Sequence, residues 1–210
     1  MQQLAILFFS TFSAAFLATA PPGLLNMNVA KTSVEKGKAN GIMFGLGVAV
    51  MVLLQAYLSV RIAKYLSRNP ETIHVLMQIA VVIFVILAVV FFVKGKKQEV
   101  QPIEMEYGKK RSSFTKGLFL EAINLLAIPY YSGLNTIFHK QGFMNYRVID
   151  EVFFIFAAGA GTFLVMYLYA FYFNKMNRKT NRFSKNSNYI LSALMIVLAV
   201  VTIVRLMNQN

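Results

Sequence analysis

The residue best suited to carry chemistry in this sequence is Glu121, the one acidic residue inside a long apolar run. A carboxylate in hydrocarbon is by default a candidate proton relay or ion site, because low-dielectric surroundings favour its protonated form. Asn124 follows at i+3, so the two polar groups share one helical face. The alternative is that Glu121, one turn from the cytoplasmic end of its run, reaches the interface or pairs with Lys116.

Prolines interrupt two of the apolar runs. A proline removes one amide donor and its ring clashes with the carbonyl four residues earlier, so a break leaves backbone carbonyls without helical partners. At membrane depth these carbonyls must meet polar groups of the protein or a water-filled cavity. The residues predicted to form the breaks are Pro21, Pro22 and Gly23 after the first run and Pro129 near the middle of the fourth.

Four asparagines lie near these breaks and are candidates for binding a polar substrate, because an amide side chain both donates and accepts hydrogen bonds. They are Asn26, Asn28, Asn124 and Asn135. For the first two, another interpretation is equally open. The prolines could end the first helix at its cytoplasmic boundary and leave both asparagines in a wet turn.

These residues belong to six apolar runs, each roughly 20 residues long, which is the length a helix needs to cross a bilayer. The chain is 57% hydrophobic and only 14% charged, outside the range of a soluble domain. We therefore predict an all-α polytopic membrane protein with six transmembrane helices. The runs cover residues 4–25, 41–60, 73–93, 117–138, 152–173 and 189–206.

The order of these features recurs in the two halves of the chain. Pro22 precedes Asn28 by six residues, and Pro129 precedes Asn135 by the same spacing. Three helices per half is an odd number, so the second half enters the membrane from the opposite side. Such inverted repeats are typical of secondary transporters with a site near the midplane. The predicted divisions are a first repeat at 1–93, a cytoplasmic linker at 94–116 and a second repeat at 117–210.

Glycine pairs occur early in the second helix of each half. They leave gaps where a neighbouring backbone can approach closely, so helix packing is their expected role. The pairs are Gly45 with Gly47 and Gly159 with Gly161. Three isolated polar residues, Gln55, Tyr167 and Tyr169, are expected to bond neighbouring helices rather than a substrate.

Basic residues are unevenly distributed along this chain of net charge +13. Fifteen of the 21 Lys and Arg residues lie in the loops between helices 1 and 2, 3 and 4, and 5 and 6. The positive-inside rule makes these loops cytoplasmic and places both termini outside. The concentration of charge at helix ends argues against nucleic-acid binding. The lack of cysteine excludes disulfides and thiolate chemistry, and we expect no metal or cofactor.

Two regions resemble the signatures of the lysine exporter (LysE) family, amino-acid exporters that include homoserine and threonine efflux proteins. The string GLFLEAINLLAIP at 117–129 is similar to the second signature, in the fourth helix. The residues that match the first signature are Pro21, Pro22, Gly23, Lys36, Gly37, Gly41, Gly45 and Gly47.

The chain departs from the family pattern at two places. Ala127, Ile128 and Pro129 stand where the family usually has Asn-Pro-Lys, and an acidic residue common in the second helix is missing near Val50 and Met51. The resemblance still implies the fold. These departures bear on the substrate and on the coupling ion, since Glu121 would have to supply the acid.

Together these features predict an exporter of amino acids or related small metabolites in the bacterial inner membrane. Its expected partners are the small-molecule substrate, protons and the lipid bilayer, and a homodimer is a candidate assembly. Glu121 would couple the substrate to protons. The alternative is a non-transporting membrane scaffold or accessory subunit, in which the matching breaks are incidental.

Overall fold

Helices are the elements of the part of the chain that the structure, a computed structural model, describes. That part comprises residues 1–21, 23–69, 110–124 and 126–172, with isolated helical residues between 78 and 93 and between 192 and 207. It contains no strand, which confirms the predicted all-α class. The helices are α1 (Gln2–Thr19), α2 (Leu24–Lys36), α3 (Lys38–Arg68), α4 (Lys110–Ala122), α5 (Ala127–Lys140) and α6 (Val148–Tyr172).

Three of these helices, α1, α3 and α6, are long and apolar enough to cross a membrane. The pair α4 and α5, bent by 66° at its break, gives a fourth span if the two are taken together. These four correspond to the first, second, fifth and fourth predicted runs. The third and sixth runs, at 73–93 and 189–206, fall mostly outside the described residues.

The first predicted run ends earlier than expected. The amide of Ala20 donates to the carbonyl of Phe16 at 2.8 Å, and the two prolines that follow have no amide hydrogen to continue the ladder. Helix α1 therefore stops at Thr19 rather than near residue 25. The chain resumes as the separate helix α2, and Gly37, whose φ of 87° favours glycine, divides α2 from α3.

The break in the fourth run precedes its proline. Pro129 was expected to interrupt a helix, but it is the third residue of α5. A proline is tolerated there because amides of the first turn have no partner within the helix. The break itself occupies residues 123–126. Helix α4 begins at Lys110, so residues 110–116 of the expected linker are helical.

Helices from both predicted halves share the core. Helix α1 packs on α6, and α2 packs on both α4 and α6. One apolar cluster includes Leu7 of α1, Val52 of α3, Phe138 of α5 and Phe154 of α6, each at most 7% exposed. All of these residues lie in one compact unit, 1–65 with 103–177.

The second compact unit comprises residues 66–102 and 178–210. Within it, the buried Ser192 hydroxyl donates to the carbonyl of Ala88 at 2.9 Å. This bond joins the third predicted run to the sixth.

Candidate functional site

The break between α4 and α5 is held by two side chains of α3. The Gln55 amide nitrogen donates to the carbonyls of Glu121 at 2.9 Å and of Asn124 at 3.2 Å. The Ser59 hydroxyl lies 2.9 Å from the carbonyl of Ile128. The carbonyls of Glu121 and Asn124 also accept hydrogen bonds from backbone amides within the break, so the side chains of α3 are additional partners in these apolar surroundings. This confirms the expectation that Gln55 bonds a neighbouring helix.

Glu121 lies at the C-terminal end of α4 with only 2% of its surface exposed. Both carboxyl oxygens are 3.3 Å from the Asn124 amide nitrogen. The sequence predicted that the two residues share a helical face, but α4 ends at Ala122, so Asn124 lies in the break. Among the described residues Glu121 forms no ion pair, and Lys116 is exposed. The structure therefore places this carboxyl group inside the protein, without a counter-ion from the described residues.

Two further polar side chains near the bundle core have atoms without partners. The Gln55 side-chain oxygen is buried and accepts no hydrogen bond from the described residues. Asn135, on α5, is fully buried, and neither its amide oxygen nor its amide nitrogen has a partner there. Buried polar atoms are nearly always paired in folded proteins, so an unpaired one in a transport protein or an enzyme is a position where a polar ligand group binds favourably.

The other break, between α1 and α2, is closed mainly by Asn26. This side chain is 3% exposed and donates to the carbonyls of Thr19 at 2.6 Å and Pro21 at 2.8 Å. Asn28 is only half-buried and donates to Leu24 within its own helix at 2.7 Å. Of the two interpretations offered by the sequence, a wet turn does not describe Asn26, whose amide bonds the backbone of the break.

The predicted substrate-binding asparagines do not form a single hydrogen-bonded cluster in the described part of the chain. Asn124 joins Glu121 at one break, and Asn26 lies at the other. No hydrogen bond among the described residues connects Asn28 or Asn135 to either group.

The two breaks are held in a reciprocal way. Gln55, in the first half of the chain, donates to the broken helix of the second half. Tyr169, in the second half, donates from its hydroxyl to the carbonyl of Ala20 at the first break, at 2.9 Å. Each donor lies ten residues after the first glycine of its pair, Gly45 or Gly159. The equivalent position of each half therefore supports the break of the other.

The first glycine of each pair lies at the crossing of α3 and α6. A Cβ atom added to Gly45 would lie 2.7 Å from the Cβ of Met166. One added to Gly159 would lie 2.5 Å from the Leu53 side chain. Each glycine thus allows contact with the glycine-bearing helix of the other half.

The second glycines contact the helices that end at the breaks. A Cβ atom at Gly47 would collide with the carbonyl of Phe114 on α4. One at Gly161 would lie 2.5 Å from the carbonyl of Phe12 on α1. Each of these two contacts joins a helix of one half to a helix of the other. They are equivalent, because α3 contacts α4 through Gly47 as α6 contacts α1 through Gly161.

An ionic cluster links α3 and α6 away from the breaks. The Arg61 guanidinium contacts the Glu151 carboxylate, and the Lys64 ammonium lies 3.3 Å from it. Arg147 pairs with Asp150 at 2.8 Å. From the sequence, these basic residues predicted only the topology. Arg61 and Lys64 have an i, i+3 spacing, which places them on one face of α3. This spacing was the sequence feature that could have predicted the cluster.

The model of the LysE type translocator family matches residues 16–206 of the sequence. The chain belongs to the LysE type translocator family. This match confirms the resemblance noted from the proline and glycine signatures. Searches of curated proteins and of solved structures found no match to this translocator. The family and the apolar helices make it a multi-pass membrane transporter.

Proposed function

We propose that this LysE type translocator exports amino acids or closely related metabolites across the bacterial inner membrane in exchange for protons. Amino-acid efflux is the role for which the family is known. The observation that carries the mechanism is the reciprocal support of the two breaks by Gln55 and Tyr169. It is the pattern expected when two inverted halves share a site between them.

In the proposed architecture six helices form two inverted three-helix repeats. The third and sixth helices are the runs at 73–93 and 189–206. Reciprocal glycine contacts support this arrangement, since α3 meets α4 in the way that α6 meets α1. Both termini face outward and the lysine-rich loops face the cytoplasm, as the charge distribution indicates.

Alternating access follows from this geometry. Asn124 and Asn135 supply amides for the substrate, next to the polar backbone of the breaks. Asn26 and Asn28 support the first break in the conformation described here. When the halves rock against each other, the site opens to one side at a time. Glu121, buried and without a counter-ion from the described residues, takes up the proton that drives exchange.

The test is transport in liposomes that contain the purified protein and are loaded with a mixture of the twenty amino acids. An inward proton gradient is expected to accelerate efflux of at least one of them. Glu121→Gln keeps the volume of the side chain but cannot carry the charge, so the gradient is expected to have no effect on that variant.

The matched control is Glu35→Gln. Glu35, on α2, is another largely buried carboxylate, and it pairs with Lys31 at 3.5 Å away from the breaks. This variant is expected to keep gradient-driven efflux. Equal gradient dependence in the Glu121 variant and the wild type would remove Glu121 from the coupling. No efflux of any amino acid by wild type would instead favour the membrane-scaffold alternative.

A further inference from the structure

The break between α4 and α5 is rich in hydrogen-bond acceptors and poor in donors. It contains the Glu121 carboxylate and the buried, unpaired side-chain oxygen of Gln55. The Gln55 nitrogen, which is bonded to the same carbon as this oxygen, lies 2.9 Å from the Glu121 carbonyl, so the oxygen is at the break as well. The partially negative C-terminal end of α4 points to the same place.

The donors available to these acceptors are few. The Asn124 amide nitrogen is 3.3 Å from each Glu121 carboxyl oxygen, longer than a strong charge-assisted bond. A group with several N–H donors and a positive charge would satisfy this site, and an alkylammonium has three such donors.

We propose that the break between α4 and α5 binds the ammonium group of the substrate, and that this ammonium and the coupling proton compete for the Glu121 carboxylate. This inference rests on the proposed export function and specifies its coupling step. When a protonated Glu121 meets the substrate, its proton leaves to solution and the carboxylate forms an ion pair with the ammonium. When a proton returns, the ammonium is released. One site thus holds one charge at a time, which makes the exchange obligatory.

Among the side chains around this break, Glu121 is the acid that we expect to respond to pH. From α3, the side chains at the break are Gln55 and Ser59, both uncharged. From α5, Tyr131 is the titratable group that interacts with Glu121. Helix α2 also packs on α4 and carries Lys31, Glu35 and Lys36, none of which forms an ion pair with Glu121. These statements concern the described residues.

The experiment uses n-propylammonium as the probe and n-propanol as its uncharged analogue. The chain has no tryptophan, so Ile123→Trp places a single tryptophan at the break, on a side chain that is 70% exposed, and excitation at about 295 nm avoids the ten tyrosines. Binding to the full-length protein is followed by this fluorescence between pH 5 and pH 9. Proton release is followed in weakly buffered solution with a pH indicator.

Where Glu121 is protonated, propylammonium is expected to bind with release of about one proton, and its affinity is expected to fall about tenfold for each unit by which the pH is lowered. Propanol is expected to give neither signal. Glu121→Gln is expected to abolish proton release and the pH dependence. Glu121→Asp keeps the charge and is expected to retain both with altered affinity, which separates loss of the carboxylate from loss of folding.

Binding without proton release at every pH between 5 and 9, or an unchanged pH dependence in Glu121→Gln, would overturn the competition. If liposome efflux remains coupled through Glu121 while propylammonium fails to compete, this inference is wrong and the proposed function stands. If propylammonium competes but no amino acid is exported, the site stands and the proposed function is wrong.

Discussion

Asn26 and Asn135 are both buried asparagines, but they differ in what their amides do. The Asn26 nitrogen bonds two carbonyls of the first break. Asn135 has no partner for either amide atom among the described residues. One residue therefore stabilises this conformation, whereas the other carries the cost of a buried polar group, which is about 1–3 kcal/mol. A cost of this kind is maintained at functional sites.

The contrast predicts opposite effects of the same substitution. Asn135→Leu is nearly isosteric, so we expect the free energy of unfolding to stay unchanged or rise by about 1 kcal/mol while amino-acid efflux falls. Asn26→Leu is expected to lower the free energy of unfolding by about 1–3 kcal/mol, because two carbonyls lose their donor. For each variant, the free energy of unfolding is measured by thermal unfolding in detergent, and amino-acid efflux is measured in liposomes. A large destabilisation by Asn135→Leu would contradict the proposed role of Asn135.

At the scale of the elements, the paired glycines are among the residues that set how closely the helices cross. Gly47 and Gly161 each face the backbone of another helix, so an added methyl group cannot be accommodated by a rotamer change. No atom of the described residues lies within 4 Å of a Cβ added to Gly133, in α5. Gly133 is therefore a control for Gly47 and Gly161 within the same chain.

Alanine substitutions at these positions are expected to separate clearly. Gly47→Ala and Gly161→Ala should each lower the free energy of unfolding by about 1–3 kcal/mol through overpacking. Gly133→Ala should leave it unchanged or raise it by up to about 1 kcal/mol, because alanine favours a helix. Thermal unfolding of the three variants checks this. If Gly161→Ala were tolerated and Gly47→Ala were not, the reciprocity of the two halves would lose its support.

The sequence predicted that the helices break, but it located only one break well. The end of α1 is a local effect, because Pro21 cannot donate to the ladder that Ala20 completes. The second break lies before Pro129, and its carbonyls are paired by Gln55, which is 66 residues away from Glu121 in sequence. Such a partner depends on tertiary packing and has no local signal. The family signatures, by contrast, are local strings and were recognised directly.

At the scale of the whole molecule, the charge distribution and the helix directions must agree. Helices α3 and α4 meet near their starts, where Ser113 donates to Asn40 at 3.2 Å, and both then run toward the end that contains Arg61 and Glu151. Helices α1 and α6 run the other way, since Gln3 contacts Gly142 and Tyr169 contacts Ala20. The starts of α3 and α4 carry lysines, so the positive-inside rule predicts that this end faces the cytoplasm.

This arrangement predicts which residues are accessible from each side of the membrane. The chain lacks cysteine, so single cysteines can be introduced at two exposed positions, Ser112 near the start of α4 and Gln141 after α5. With a membrane-impermeant maleimide and intact cells whose outer membrane is permeabilised, Gln141→Cys should label and Ser112→Cys should not. Both should label after the inner membrane is disrupted.

Phe9→Cys, on the apolar and 65% exposed face of α1, is the control that should resist labelling in both cases because lipid covers it. Labelling of Ser112→Cys in intact cells would reverse the orientation. Because the proton gradient sets the direction of exchange, the translocator would still export its substrate in that orientation.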